Sequence, residues 1–225
     1  MFKKAIAEGW MVINPAKDAA KDARDRADSV GDDDDDQDNQ DNIENKYYTR
    51  EQQVRTLAAL TDAIPKYREL VVVMLATGMR VDAARSMRSS WVNEKHMIRI
   101  PRSRDKGGKG YTTHAFGAEA KAIIDRRCQE HPDGSIFPEI KSDGSSYHYL
   151  AEFYRRHEDL QDIIEIGAYN HAWRHTFAVR RVEDGMAIPV LQKFMGHGGI
   201  KMTMRYAKVS DHAMMEAIEA IEALA

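Results

Sequence analysis

The sequence contains one cysteine, Cys128, among 225 residues. A single thiol excludes a disulfide framework within the chain and a zinc site built from several cysteines. The sequence also lacks an apolar run approaching the roughly 18 residues that a membrane span needs, and its N-terminus lacks the apolar segment of a secretion signal. A glycine-rich nucleotide loop is absent as well. These absences predict a cytoplasmic protein without a membrane partner.

An excess of positive charge is lacking too, because the formal net charge is -3. The charge is unevenly distributed, however. Residues 80–114 carry nine Lys and Arg against three acidic residues, a net +6, and residues 171–209 carry seven against two, a net +5. The remainder of the chain therefore carries -14. Binding to a polyanion depends on the phosphates that a local basic face contacts, so the acidic total does not exclude a nucleic-acid partner.

The N-terminal fifth of the chain differs from the rest. Residues 1–28 have helical patterns broken at Asn14-Pro15, and they are too short to fold alone. They either dock on the main domain or are the helical remnant of an upstream domain. Residues 29–46 include five consecutive aspartates and are predicted to form an acidic, disordered linker.

The main domain, residues 47–225, is predicted to be α+β and mainly helical, with a small antiparallel β-sheet. Thr49 and Gln52 have the spacing of a capping box, and Pro65 and Gly78 are start and stop signals for a second helix. Further helices are expected at 82–88 and 118–131 and near 172–184, 189–195 and 200–207, and strands are expected at 97–100 and 111–114. A tail helix is expected at 210–225, with an apolar stripe formed by Met214, Ile218, Ile221 and Leu224.

The segment 171–206 is more polar than a hydrophobic core requires. His171 and Arg174 are three residues apart, so on a helix they project from one face. The paired donors of a guanidinium suit phosphate oxygens. Tyr206 follows a basic helix, and a phenol, whose ordinary pKa is about 10, needs nearby cations to become a nucleophile. This segment predicts a phosphate site with a reactive phenol.

A metal site is the main alternative for the same residues. His171 and His175 are four residues apart, which is the spacing of a zinc-binding helix. A metalloprotease helix would have glutamate directly after the first histidine, but position 172 is alanine. We therefore expect no metal and no other cofactor, and metal-dependent hydrolysis is kept as an alternative.

A family resemblance rests on several motifs in a fixed order along the chain. They are Ala76-Thr-Gly-Met-Arg80, a lysine in a β-turn, His171-Ala-Trp-Arg174-His-Thr-Phe-Ala178, Phe194-Met-Gly-His197 and Tyr206. Together they resemble the tyrosine recombinase (phage integrase) family over about residues 47–210. The resemblance implies the tyrosine recombinase catalytic-domain fold and an enzyme that breaks and rejoins DNA site-specifically.

The resemblance also implies a catalytic set. Tyr206 would attack a DNA phosphate and become a 3'-phosphotyrosyl, and Arg80 and Arg174 would hold the non-bridging oxygens in place of a metal. His197 would donate to the same phosphate, and His171 would serve as acid or base near the nucleophile.

Lys106, in the β-turn between the predicted strands, would protonate the leaving 5'-oxygen. Lys109 lies in the same turn and is the alternative for this role. His175 is expected to pack or to orient a neighbour rather than to react.

Two departures from the family pattern concern the active site and the grip on DNA. A carboxylate often follows the first arginine by three residues, but that position is Ala83 here and the nearest acid is Asp82, which a helix rotates about 100° away. Only the last helix of the usual upstream DNA-clamping, or core-binding, domain is recognisable, near residues 2–15.

The partner expected from the resemblance is double-stranded DNA, which would place the protein at the nucleoid. The tail helix either packs on its own domain or, as in the family, docks on a neighbouring protomer, giving dimers or tetramers on DNA. Two other functions share these motifs: relaxation like that of a type IB topoisomerase, and DNA binding without catalysis.

Overall fold

The computed structural model of the chain describes residues 46–105, 107–140, 160 and 169–207, with backbone only at positions 63, 169 and 170. The described part is mainly helical with one small sheet, which agrees with the predicted fold class. Its helices are α1 (Arg50–Ala63), α2 (Pro65–Thr77), α3 (Val81–Arg85), α4 (Ala118–Glu130), α5 (Tyr169–Glu183), α6 (Ile188–Met195) and α7 (Ile200–Met204), its strands are β1 (Met97–Ile100) and β2 (Tyr111–His114), and short 3-10 helices cover Ser89–Trp91 and Arg102–Arg104.

Local signals place the first two helices where the sequence predicts them. The Gln52 N–H donates to Thr49 Oγ1 (3.1 Å), and the Thr49 N–H donates to Gln52 Oε1 (2.9 Å), so the predicted capping box is present. Pro65 is the first residue of α2, and Gly78 ends α2 in the left-handed conformation.

The sheet consists of β1 and β2, paired antiparallel with Met97 opposite His114 and Ile100 opposite Tyr111. Both strands have the predicted bounds. Ile98 and Ile100 face the core and Arg99 faces solvent, which is the alternation that a half-buried strand requires.

Two helices are shorter than predicted, and in both cases tertiary contacts explain the difference. The third helix ends at Arg85, because Met87 turns into the core and its carbonyl accepts a hydrogen bond from the Ile136 N–H (2.9 Å). The last described helix ends at Met204, after which Tyr206 turns inward and is buried.

Helix α2 lies at the centre of the core and packs against α1, α4 and α5. Leu70, Val71, Val73 and Met74 of this helix are fully buried. Burying such a side chain contributes roughly 1.5–3 kcal/mol, so α2 is a rigid base for the turn at its C-terminal end. That turn presents Arg80.

Several predictions lie outside the described residues: the helical segment 1–28, nearly all of the acidic linker 29–46, Lys106 and the tail helix 210–225. None of the helices that the structure does describe is long and apolar enough to cross a membrane.

Candidate active site

Arg80 owes its position to the glycine that ends α2. Gly78 has φ +66°, and a Cβ at this position would lie 2.3 Å from the ring of Phe177. Only glycine satisfies both the left-handed backbone and the close approach of the ring. The chain reverses there, and Arg80 becomes the N-cap of α3, with 8% of its surface exposed.

Arg174, on α5, joins the ends of two other helices. Its Nη1 donates to the carbonyl of Gly78 (2.5 Å), and its Nη2 donates to the carbonyl of Met195 (2.6 Å). A cation is stabilised at helix C-termini, where carbonyls without a helical partner accumulate. Gly78 lies two positions before Arg80, and Met195 lies two positions before His197. This buried guanidinium, 1% exposed, therefore brings the two predicted halves of the site together.

His197, which follows α6, and Tyr206, which follows α7, lie side by side. Gly196 ends α6 with φ +64°, and the ring of Tyr111 packs where a Cβ would be. The His197 ring bonds Thr203 Oγ1 through Nδ1 (2.8 Å) and lies parallel to the Tyr206 ring, with centroids 6.5 Å apart and planes 7° apart.

The hydroxyl of Tyr206 contacts His175. The distance from His175 Nδ1 to Tyr206 Oη is 2.7 Å, and both side chains are buried, Tyr206 to 1% exposure. His171 is one turn earlier on α5, with its ring centroid 6.3 Å from that of His175. The contact agrees with the expectation that His175 orients a neighbour, and the neighbour is the predicted nucleophile.

Asp105 is a site residue that the sequence analysis missed. Its carboxylate forms an ion pair with Arg80 (Nη1 to Oδ1, 3.7 Å) and accepts hydrogen bonds from three backbone N–H groups of the turn before β2. The candidate substitute Asp82 pairs instead with Arg85, and Ala83 is buried in the core. The signal for Asp105 was present as an aspartate leading into a lysine- and glycine-rich turn.

Tyr111, the first residue of β2, was also missed. Its hydroxyl oxygen is shielded from solvent, and burial raises the pKa of the phenol, against the charges of Arg174 and Arg80, which lower it. The side chain therefore stays protonated at neutral pH and lies within electrostatic range of both arginines. No motif marks it, because its partners come from α5 and from the turn before α3.

Five of the six predicted catalytic residues lie in the described chain, and four of them are buried: Arg80, Arg174, His197 and Tyr206, with His171 half-buried. Two guanidiniums, imidazoles and phenols with few acids suit an oxyanion. Among the described residues, no group of three or more His, Cys, Asp or Glu side chains is placed to hold a metal ion.

Comparison with protein families matches residues 47–213 to the model described as the phage integrase family. The chain is 27% identical over 175 residues to the integrase of Escherichia phage P2, a match that covers 78% of the chain and 46% of that integrase. It is 26% identical over 177 residues to the tyrosine recombinase XerA of Pyrococcus furiosus, covering 75% of the chain and 59% of that recombinase. The chain thus spans about half the length of the relatives it matches.

Solved structures with the same fold include two integrases. The catalytic domain of bacteriophage HP1 integrase superposes with a TM-score of 0.56 and 24% identity, covering 77% of the chain and 93% of that domain. The Tn1549 transposon integrase, solved in complex with circular intermediate DNA, has a TM-score of 0.54 and 19% identity, covering 78% of the chain and 66% of that protein. The predicted tyrosine recombinase catalytic-domain fold is confirmed.

Proposed function

The chain belongs to the phage integrase family, and we propose on this basis that it is a site-specific recombinase, which cuts and rejoins DNA strands through a 3'-phosphotyrosyl intermediate. The observation that carries the proposal is the position of Arg174. Its guanidinium bonds the backbone beside Arg80 and the backbone beside His197, so one buried cation links the groups that would hold a phosphate.

Phosphate binding would fall to the two arginines and their neighbours. Arg80 and Arg174 would neutralise the non-bridging oxygens from buried positions, where fixed charges stabilise a transition state more than they do in water. Because Nδ1 of His197 is engaged by Thr203, its donation to the phosphate would come from Nε2. Arginine charge takes the place of metal charge in this scheme.

Strand cleavage would exchange one phosphoester for another. The Tyr206 oxygen attacks phosphorus as its proton passes to a nearby imidazole, and the bond from phosphorus to the 5'-oxygen breaks. That oxygen takes a proton from Lys106, or from Lys109 in the same turn. The family pattern favours His171 as the imidazole, while the 2.7 Å contact favours His175. Attack by a 5'-hydroxyl reverses the step and rejoins the strands.

The first prediction is that Tyr206→Phe abolishes a covalent protein–DNA adduct without abolishing DNA binding. The substrate is a pool of duplexes that carry a nick and are randomised in sequence around it. Cleavage near the nick releases a short fragment that diffuses away, so no 5'-hydroxyl remains to rejoin the strand and the adduct accumulates. The wild-type chain should retain DNA after denaturation, and sequencing of the retained DNA gives the recognised site. Gel shifts measure binding.

Tyr67→Phe is the matched control, because Tyr67 is a buried tyrosine of α2 outside the candidate site, and this variant should form the adduct normally. An adduct formed by the Tyr206→Phe chain would contradict the assigned nucleophile. A wild-type chain that binds the pool but forms no adduct would point to DNA binding without catalysis.

Assembly on DNA through the tail helix is part of the same proposal. The apolar stripe of Met214, Ile218, Ile221 and Leu224 would dock on a neighbouring protomer and link active sites in dimers or tetramers. A chain ending at residue 209 should then bind DNA as monomers, whereas the full chain forms larger complexes in sedimentation. Equal sizes for both chains would support packing of the tail on its own domain.

A further inference from the structure

Asp105 is a buried carboxylate whose negative charge needs compensation. Only 3% of its side chain is exposed. Burying an ionised carboxylate without partners costs several kcal/mol, so such a group is retained in a fold only where charges or hydrogen-bond donors surround it. Here the partners are one buried guanidinium and a row of backbone N–H groups.

The two oxygens of the carboxylate connect different parts of the site. Oδ1 faces Nη1 of Arg80 at 3.7 Å and accepts from the Gly107 N–H at 3.2 Å. Oδ2 accepts from the N–H groups of Lys109 (3.1 Å) and Gly110 (2.9 Å). A single side chain thus closes the turn at 105–110 and ties it to Arg80.

This turn includes the predicted general acid, since Lys106 directly follows Asp105 in the sequence. The carboxylate that the family pattern places three residues after the first arginine is missing, because position 83 is a buried alanine. Asp82 pairs with Arg85, and 43% of its side chain is exposed. Asp105, the buried carboxylate that pairs with Arg80, lies in the turn between β1 and β2.

We propose that Asp105 is a positioning residue, which holds the turn that carries the general-acid lysine close to Arg80, so that the lysine can protonate the leaving 5'-oxygen. The inference rests on the proposed recombinase function. In this arrangement Asp105 accepts hydrogen bonds from the backbone of the turn and forms an ion pair with Arg80, so one carboxylate joins the turn to the phosphate-binding arginine. A carboxylate that merely shaped the turn would support the fold and would have no selective effect on departure of the 5'-oxygen.

The test compares two leaving groups on the duplex recovered by covalent trapping. One substrate has the ordinary 5'-oxygen at the scissile phosphate, and the other has sulfur in that bridging position. A thiolate leaves without protonation, so the sulfur substrate does not need the general acid. Asp105→Asn removes the charge and keeps one acceptor oxygen. We expect it to slow adduct formation about 10- to 100-fold on the oxygen substrate and less than about 3-fold on the sulfur substrate, as general-acid contributions of about 10²–10⁴ allow.

Three further variants calibrate the comparison. Lys106→Ala should give the same selective loss, and Asp82→Asn, which removes a carboxylate paired with Arg85, should cleave both substrates at the wild-type rate. Asp105→Glu keeps the charge but lengthens the side chain, and it should give a smaller loss with the same selectivity. If circular dichroism shows that the Asp105→Asn variant is unfolded, the Asp105→Glu variant is used for the comparison of the two substrates.

An equal loss on both substrates, or no loss on either, would overturn the role of Asp105. Failure of the proposed function would differ, since the wild-type chain itself would then form no adduct on either substrate.

Discussion

Tyr206 presents its hydroxyl to His175 in a buried position, where a DNA phosphate could not reach it without a rearrangement. Nδ1 of a neutral histidine accepts a hydrogen bond when the proton is on Nε2, so this pairing suits a phenol that is about to lose its proton. The ring of His197 lies parallel to the Tyr206 ring, with centroids 6.5 Å apart. We infer that His175 orients the nucleophile and, beyond the role expected from the sequence, is placed to accept its proton.

The prediction at this scale concerns His175→Phe, which removes the acceptor and keeps a ring of similar size. We expect adduct formation to slow about 10²-fold, within the range of general-base contributions. Loss of this buried hydrogen bond should also lower the unfolding free energy by about 0.5–1.5 kcal/mol. Single-turnover trapping and thermal melting measure the two effects.

His175→Asn supplies an amide oxygen near the place of Nδ1, and this variant should recover part of the rate. His96→Asn is the matched control: His96 bonds Asp125, outside the candidate site, and its replacement should leave trapping unchanged. A His175→Phe chain that forms adduct at the wild-type rate would show that the contact belongs only to packing.

At the scale of the element, local chemistry accounts for the features that could be predicted. The capping box at Thr49, the proline that begins α2 and the glycine that ends it act within a few residues, and each is visible in the sequence. The same holds for the strand pair, whose alternating side chains and glycine-rich turn specify both bounds.

The features that the sequence did not predict depend on partners that are distant in the chain. The third helix ends earlier than predicted because Met87 is buried in the core. No residue near Met87 in the sequence indicates this helix end. Gly78 was predicted to stop a helix, but its second role, leaving room for the Phe177 ring, needed the packing of α5 against α2. Asp105 and Tyr111 were missed for the same reason. Their place in the site depends on Arg80 and Arg174, which are distant in the chain.

At the scale of the whole molecule, two segments have a net positive charge although the chain is acidic in total. The two basic segments, 80–114 and 171–209, meet through Arg174, whose guanidinium bonds Gly78 at the edge of the first segment. Arg102 and Arg104, on the 3-10 helix that leads into Asp105, are exposed to solvent. Because this helix leads into Asp105, which pairs with Arg80, we expect both arginines to contact the DNA backbone near the phosphate that Arg80 would hold.

The last prediction rests on this arrangement and concerns the salt dependence of DNA binding. Each phosphate that a cation neutralises adds about 0.9 to the slope of log K against log salt, through the counterions released. Arg102→Gln and Arg104→Gln should each weaken binding to specific and random duplexes alike and lower that slope by about 1. Lys66→Gln, an exposed cation of α2 outside both basic segments, should change neither quantity. Fluorescence anisotropy between about 50 and 200 mM salt measures both, and an unchanged slope for the hairpin variants would place the DNA on another face of the domain.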